Sequence, residues 1–227
     1  KTFNGGIKED RFCNFDSESL FGFALASMAQ TDVTRQYVAN PSFETNGTNG
    51  WAVSGFVPQG NNSFTKKQGA TYLEKWVAKG SSAGSASVSQ VLANLEPGKY
   101  TLTVAAQNLD QNDDTRKCTG AQLFAGTKTK IVYTADDYSV DFTYFDGDLN
   151  VGFRATNANG NWLAVDNFRL TYNGAPDVAD TKKALNTQLT TANKLYGDGA
   201  GINAAALKQA IDAAQAVVDK DDVSAED

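Results

Sequence analysis

From about Val33 to Tyr172, apolar and polar positions alternate in short runs broken by Gly, Asn and Pro. Ser85-Ala86-Ser87-Val88-Ser89-Gln90-Val91-Leu92 sets small or polar residues against apolar ones, the pattern of a strand with one buried face. Leu95-Glu96-Pro97-Gly98-Lys99 reads as a turn, because Pro presets φ and Gly supplies φ > 0. Tyr100–Ala106 then alternates as the next strand, and further strands are predicted over Lys130–Thr134, Tyr138–Tyr144, Leu149–Thr156 and Leu163–Tyr172. Asp146-Gly147-Asp148 and Asn159-Gly160-Asn161 mark two of the turns between them. Many short strands without helical spacers predict a mainly β protein built as an antiparallel sandwich.

At Asn173-Gly174-Ala175-Pro176 the period changes. Val178, Leu185, Leu189, Ala192 and Leu195 recur at helical spacing, and Tyr196–Gly201 stops that helix. Asn203 reads as an N-cap for a second stripe of Ala206, Leu207, Ala210, Ile211, Ala214, Val217 and Val218. Two amphipathic helices joined by a Gly-rich turn make a helical hairpin, whose Ala-rich face calls for a third helix or the sandwich to pack on. The organisation expected is a tail over 1–29, a sandwich over 30–173 and a helical segment over 174–227.

Leu20–Ala29 is a short apolar run ending in small residues, and Ser27-Met28-Ala29 fits a signal-peptidase site with a cut before Gln30. The residues upstream, Glu9, Asp10, Asp16 and Glu18, are acidic where a signal peptide carries Lys or Arg. The tail is therefore either a signal-peptide remnant without further function or a segment that packs somewhere. The first reading implies export.

Composition narrows the chemistry. The chain has 227 residues and no histidine, which removes Ser-His-Asp and Cys-His catalysis and the usual zinc sites. A net charge of −6 argues against nucleic-acid binding, which needs a basic face over the phosphates. No apolar run approaches the ~18 residues of a membrane span. Cys13 and Cys118 form neither a metal cage nor a disulfide framework, and they are not expected to pair. An enzyme would have to rely on carboxylate pairs, as glycosidases do. Asp136-Asp137, Asp141, Asp146 and Asp148 supply carboxylates, but adjacent strand residues face opposite sides and nothing locates a pair flanking a substrate. The expectation is a chain that binds and does not catalyse. Asn46-Gly47-Thr48 and Asn61-Asn62-Ser63 fit the glycosylation sequon, a pattern common by chance.

Tyr37-Val38-Ala39-Asn40-Pro41-Ser42-Phe43-Glu44, followed by Gly50-Trp51, resembles the opening of galactose-binding-like β-sandwich modules. Trp162-Leu163-Ala164-Val165-Asp166-Asn167-Phe168-Arg169-Leu170 looks like their closing strand, and Gln90–Leu102 is similar to their central hairpin. The resemblance covers about 33–172 and implies a jelly-roll, galactose-binding-like carbohydrate-binding module of a secreted or cell-surface bacterial enzyme. Leu185, Leu189, Ala192, Leu195-Tyr196, Leu207, Ala210-Ile211 and Ala214 resemble part of the helical FIVAR repeat, which implies a spacer towards another domain.

The resemblance also implies sites. Glu44 of the first strand and Asp166 of the last would share a structural Ca²⁺, with Asn40 and Asn167 able to add oxygens; two hard carboxylates suit that ion. Trp51 and Trp162 lie inside the fold-bearing motifs and read as core. Trp76 divides between core and sugar platform. Tyr72, Tyr138 and Tyr144 are the remaining candidate aromatics, and Gln107 and Arg154, outward on predicted strands, could supply polar contacts on a concave face. Asn108–Asp114 reads as a solvated polar loop able to edge a ligand site. The expected partners are a polysaccharide or oligosaccharide and the catalytic domain of a parent protein, with no nucleic acid. The competing expectation is a structural or adhesive spacer of a surface protein with no glycan ligand.

Overall fold

The computed structural model describes residues 30–197 and 204–220; the predicted signal remnant and the predicted N-cap Asn203 lie outside them. In chain order the elements are β1 (Thr31–Asp32), α1 (Thr34–Tyr37), β2 (Ala52–Ser54), β3 (Val57–Gln59), β4 (Tyr72–Trp76), β5 (Gly84–Leu92), β6 (Gly98–Leu109), β7 (Ala121–Ala125), β8 (Lys128–Ile131), β9 (Asp136–Tyr144), β10 (Leu149–Ala158), β11 (Trp162–Tyr172), α2 (Val178–Gly197) and α3 (Ala204–Val218). One sheet runs β3-β4-β11-β6-β9 with β1 also paired to β11, and the other runs β2-β5-β10-β7-β8. Every pairing is antiparallel. The strands form the expected sandwich, and a helical pair follows it.

Strand alternation explains the two layers. Leu73, Val104, Ala106, Val140, Phe142, Leu163 and Val165 face the other sheet and meet Val88, Leu123, Val151 and Phe153 in the main core. An aromatic knot closes one end: Trp51 packs on Phe168 with ring centroids 4.4 Å apart, and Phe43 lies against both. At mid-β10, a Cβ on Gly152 would lie 2.1 Å from the Val88 carbonyl oxygen, so only glycine lets the central strands pair there. The strand predicted at Lys130–Thr134 begins earlier, at Lys128, because Gly126 at φ 56° turns the chain tightly out of β7.

A second, smaller cluster lies on the opposite face of the six-stranded sheet: Phe64, Tyr72, Ala105, Trp162 and Ala164. Residues 60–71 cross this face. Phe64 packs on Tyr72 at 5.4 Å, Lys66 pairs with Asp136 at 3.1 Å, and the Gln68 N–H donates to Asp166.

Asp177 sets the helical pair on the sandwich. Its carboxylate caps α2 by accepting from the Asp180 N–H at 2.8 Å and pairs with Lys99 at 2.8 Å, while Thr143 donates to Asp180. Leu189 of α2 and Ile211 of α3 are buried between the helices.

Candidate functional site

The alternation that sends Leu73 into the core sends Tyr72, Glu74 and Trp76 to the outer face of the six-stranded sheet. Antiparallel register places Trp162 opposite Trp76 and Ala164 opposite Glu74. Trp76 is 54% exposed, whereas Trp51 and Trp162 are buried. Its indole nitrogen donates to Gln111 Oε1 at 2.8 Å. Gln111 is held in turn by Asn161, which donates to the same oxygen at 2.9 Å and accepts from the Gln111 N–H at 2.8 Å. Asn161 is itself 1% exposed and also donates to the Val77 carbonyl.

Glu74 sits beside this aromatic as an organised acceptor. Gln59 Nε2 donates to Oε1 at 3.0 Å, Trp162 Nε1 donates to Oε2 at 2.9 Å, and the Tyr72 hydroxyl lies 3.0 Å from Oε2. Burial, with Glu74 beside it, holds the Tyr72 phenol above its ordinary range, so it remains a donor. Asn61, Ser63, Glu74, Trp76, Gln111 and Trp162 line a shallow cleft of about 200 Å³. A carboxylate carries about four acceptor positions, so Glu74 keeps capacity on Oε1. Gln111 and Asn61 also keep their amide nitrogens, each without a hydrogen bond among the described residues.

The residues predicted for a ligand do not converge. Trp76 is on the cleft, and Tyr72 is buried beneath it as a support for Glu74. Gln107 faces the same side, but it is 1% exposed, flanked by Ala105 and Leu109 of the second cluster. Tyr138 packs on the main core, with its hydroxyl donating to the Thr134 carbonyl at 2.6 Å and accepting from the Tyr133 N–H. Tyr144 is buried in the main core and donates to the Gly147 carbonyl at 2.7 Å. Arg154 lies on the other sheet, over the Phe124 ring at 5.0 Å. These placements spread the six residues over both sheets and the core: alternation fixes a side, but not which side a covering loop buries. None of Glu74, Gln111, Asn61 and Asn161 is a ligand residue in the sequence reading: Asn61 figures there only in a sequon and Asn161 only in a turn, while Gln111 belongs to the polar loop expected to edge a site.

Glu44 and Asp166 meet at a second place, tied by one segment. Asp166 Oδ2 accepts from the Gln68 N–H and Oδ1 from the Asn167 N–H, both at 2.7 Å. Glu44 Oε1 accepts from the Ala70 and Thr71 N–H groups at 2.9 and 2.8 Å. A Cβ on Gly69, between those donors, would lie 2.6 Å from Glu44 Oε1. Asp166 is fully buried; desolvation, with the Glu44 charge adding to it, pushes its carboxyl up to about 7. A buried carboxylate near another is the donor set a hard cation would neutralise. Among the described residues no third acidic side chain joins them, so further ligands would be neutral oxygens of backbone carbonyls, side-chain amides or hydroxyls. The Asn40 side chain is committed elsewhere: Oδ1 accepts from the Thr45 N–H and Nδ2 donates to the Thr45, Gly47 and Asn49 carbonyls. Its carbonyl accepts from the Trp51 indole. Asn40 organises the loop rather than offering its side chain to a metal.

No family model matches the chain, and no curated protein sequence matches it. Among solved structures, the chain is similar to the carbohydrate-binding module TmCBM61 in complex with β-1,4-galactotriose: TM-score 0.47, 19% identity, over 60% of this chain and 97% of that one. It is also similar to a cyclase from Fischerella sp. TAU, with TM-score 0.42 and 18% identity over 66% of this chain and 100% of that one. The C-terminal family 22 carbohydrate-binding module of Clostridium thermocellum Xyn10B gives TM-score 0.40 and 13% identity over 62% of this chain and 96% of that one.

Proposed function

We propose that this chain binds a polysaccharide or oligosaccharide without catalysing a reaction on it, and that the ligand stacks on Trp76. The carrying observation is a half-exposed indole pinned by Gln111 beside hydrogen-bonding groups that are not yet spent. A sugar ring presents C–H faces that pack on an aromatic surface and hydroxyls that need polar partners. Glu74, Gln111 and Asn61 supply those partners within reach of the ring. Glycoside hydrolysis needs two carboxyl groups flanking the bond; the cleft lining contains one.

In this reading Glu44 and Asp166 hold a structural Ca²⁺, which offsets their mutual repulsion and pins the covering segment without touching the ligand. The module is an accessory part of a larger secreted or cell-surface bacterial enzyme, with α2 and α3 as a FIVAR-like spacer. Tethering would raise the local substrate concentration for the neighbouring catalytic domain.

The test is a polysaccharide screen by affinity electrophoresis with and without EDTA. Retardation by one class of glycan supports the reading. If EDTA lowers Tm but the remaining folded protein is still retarded, the cation is structural. Free migration in every gel would instead favour the spacer.

A further inference from the structure

Resting on that reading, we infer that the cleft selects uncharged sugar residues and turns away carboxylate- or sulfate-bearing ones, with Glu74 as the discriminating residue. Glu74 is the one charged side chain among the six that line the cleft. Four nearby cations have other partners. In the covering segment, Lys66 pairs with Asp136 at 3.1 Å, and Lys67 donates to the Gly60 and Ala70 carbonyls. Lys75 alternates to the other side of β4 and donates to the Ser85 carbonyl at 2.8 Å. Arg116, on the loop that carries Gln111, pairs with Asp110 at 2.7 Å. An anionic sugar would therefore meet a fixed carboxylate with no counter-cation in the lining.

The remaining hydrogen-bonding capacity fits a hydroxyl. Glu74 Oε1 can only accept, while Gln111 Nε2 and Asn61 Nδ2 can only donate. A sugar O–H does both: it donates to Glu74 and accepts from an amide. A carboxylate or sulfate seated at that position offers acceptors alone, so it leaves Glu74 unserved there. It also brings a like charge up to the Glu74 carboxylate, and the two repel.

The test uses affinity electrophoresis of the full chain in gels of β-1,4-galactan, xylan or glucomannan against polygalacturonate or alginate. The expected result is retention by at least one neutral polymer and by no acidic one. Glu74→Gln should narrow the neutral-to-acidic preference at least roughly tenfold, because like charges opposed at an interface are a strong discriminator. A second arm leaves the protein unaltered. Partial carboxymethylation of the retained neutral polymer should weaken retention at low salt, and added salt should recover it, since only a charge effect is screened. Retention by acidic polymers alone overturns the inference while leaving glycan binding intact. So does an unchanged preference in Glu74→Gln, or a loss in the second arm that salt does not recover. Retention by no polymer overturns both this inference and the glycan-binding reading.

Discussion

The Trp76 indole donates to Gln111 Oε1 at 2.8 Å, joining strand β4 to a loop 35 residues away and fixing the one tryptophan that is half exposed. An aromatic ring held in this way presents its surface to a ligand without losing rotamer freedom on binding, which lowers the cost of association.

Trp76→Ala should therefore separate binding from stability. We expect affinity for a retained glycan to fall by roughly tenfold or more, the loss typical of a central aromatic anchor. Tm should fall only modestly, because the side chain is already half exposed and the one hydrogen bond lost is worth about 1 kcal/mol. Trp51→Ala should do the opposite. Trp51 is packed between Phe43 and Phe168, and its truncation should cost about 3–5 kcal/mol by denaturant unfolding.

Asn161 acts on the cleft through Gln111. Asn161→Ala removes the bonds to Gln111 and leaves the Val77 carbonyl without its side-chain donor. The expected cost is roughly 2 kcal/mol, or about 4–8 °C in Tm for a domain of this size. The same variant should weaken glycan binding measured by calorimetry, because the loosened Gln111 no longer fixes the indole. A stability loss with unchanged affinity would separate Asn161 from the cleft.

Much of this fold was legible because strand alternation and Gly or Asn turns are local signals. Gly84–Leu92, Gly98–Leu109 and Trp162–Tyr172 overlap the predicted strands closely. The short strands Ala52–Ser54 and Val57–Gln59 are too brief to show a period, and their places come from pairing with β5 and β4. The cleft was less legible for the same reason. Tyr72 and Trp76 share one strand face, but Phe64 of the covering segment packs on the first and leaves the second open. Glu74 looks like any alternating strand carboxylate until Trp162, 88 residues away, donates to it.

Asp166 sets the pH dependence of the metal-free protein. Its folded carboxyl titrates near 7 against an ordinary 3.8. Between those values the folded state holds a proton that the unfolded chain has released, so stability falls as pH rises from about 4 to about 7 and levels off above. The change is on the order of a few kcal/mol. Thermal melts in EDTA should show this slope, and Asp166→Asn should flatten it. Added Ca²⁺ should raise Tm most at and above pH 7, where the Asp166 carboxyl has given up its proton. A Ca²⁺ effect that is absent at every pH would remove the cation from the account.

The most direct test of where the ligand sits is acrylamide quenching of tryptophan fluorescence, with and without a saturating oligosaccharide from the retained glycan. Trp51 and Trp162 are 8% and 7% exposed against 54% for Trp76, so quenching reports chiefly on Trp76. Stacking of a sugar on Trp76 is expected to lower the quenching constant markedly. Saturating ligand that leaves quenching unchanged would place the binding surface elsewhere and contradict the account.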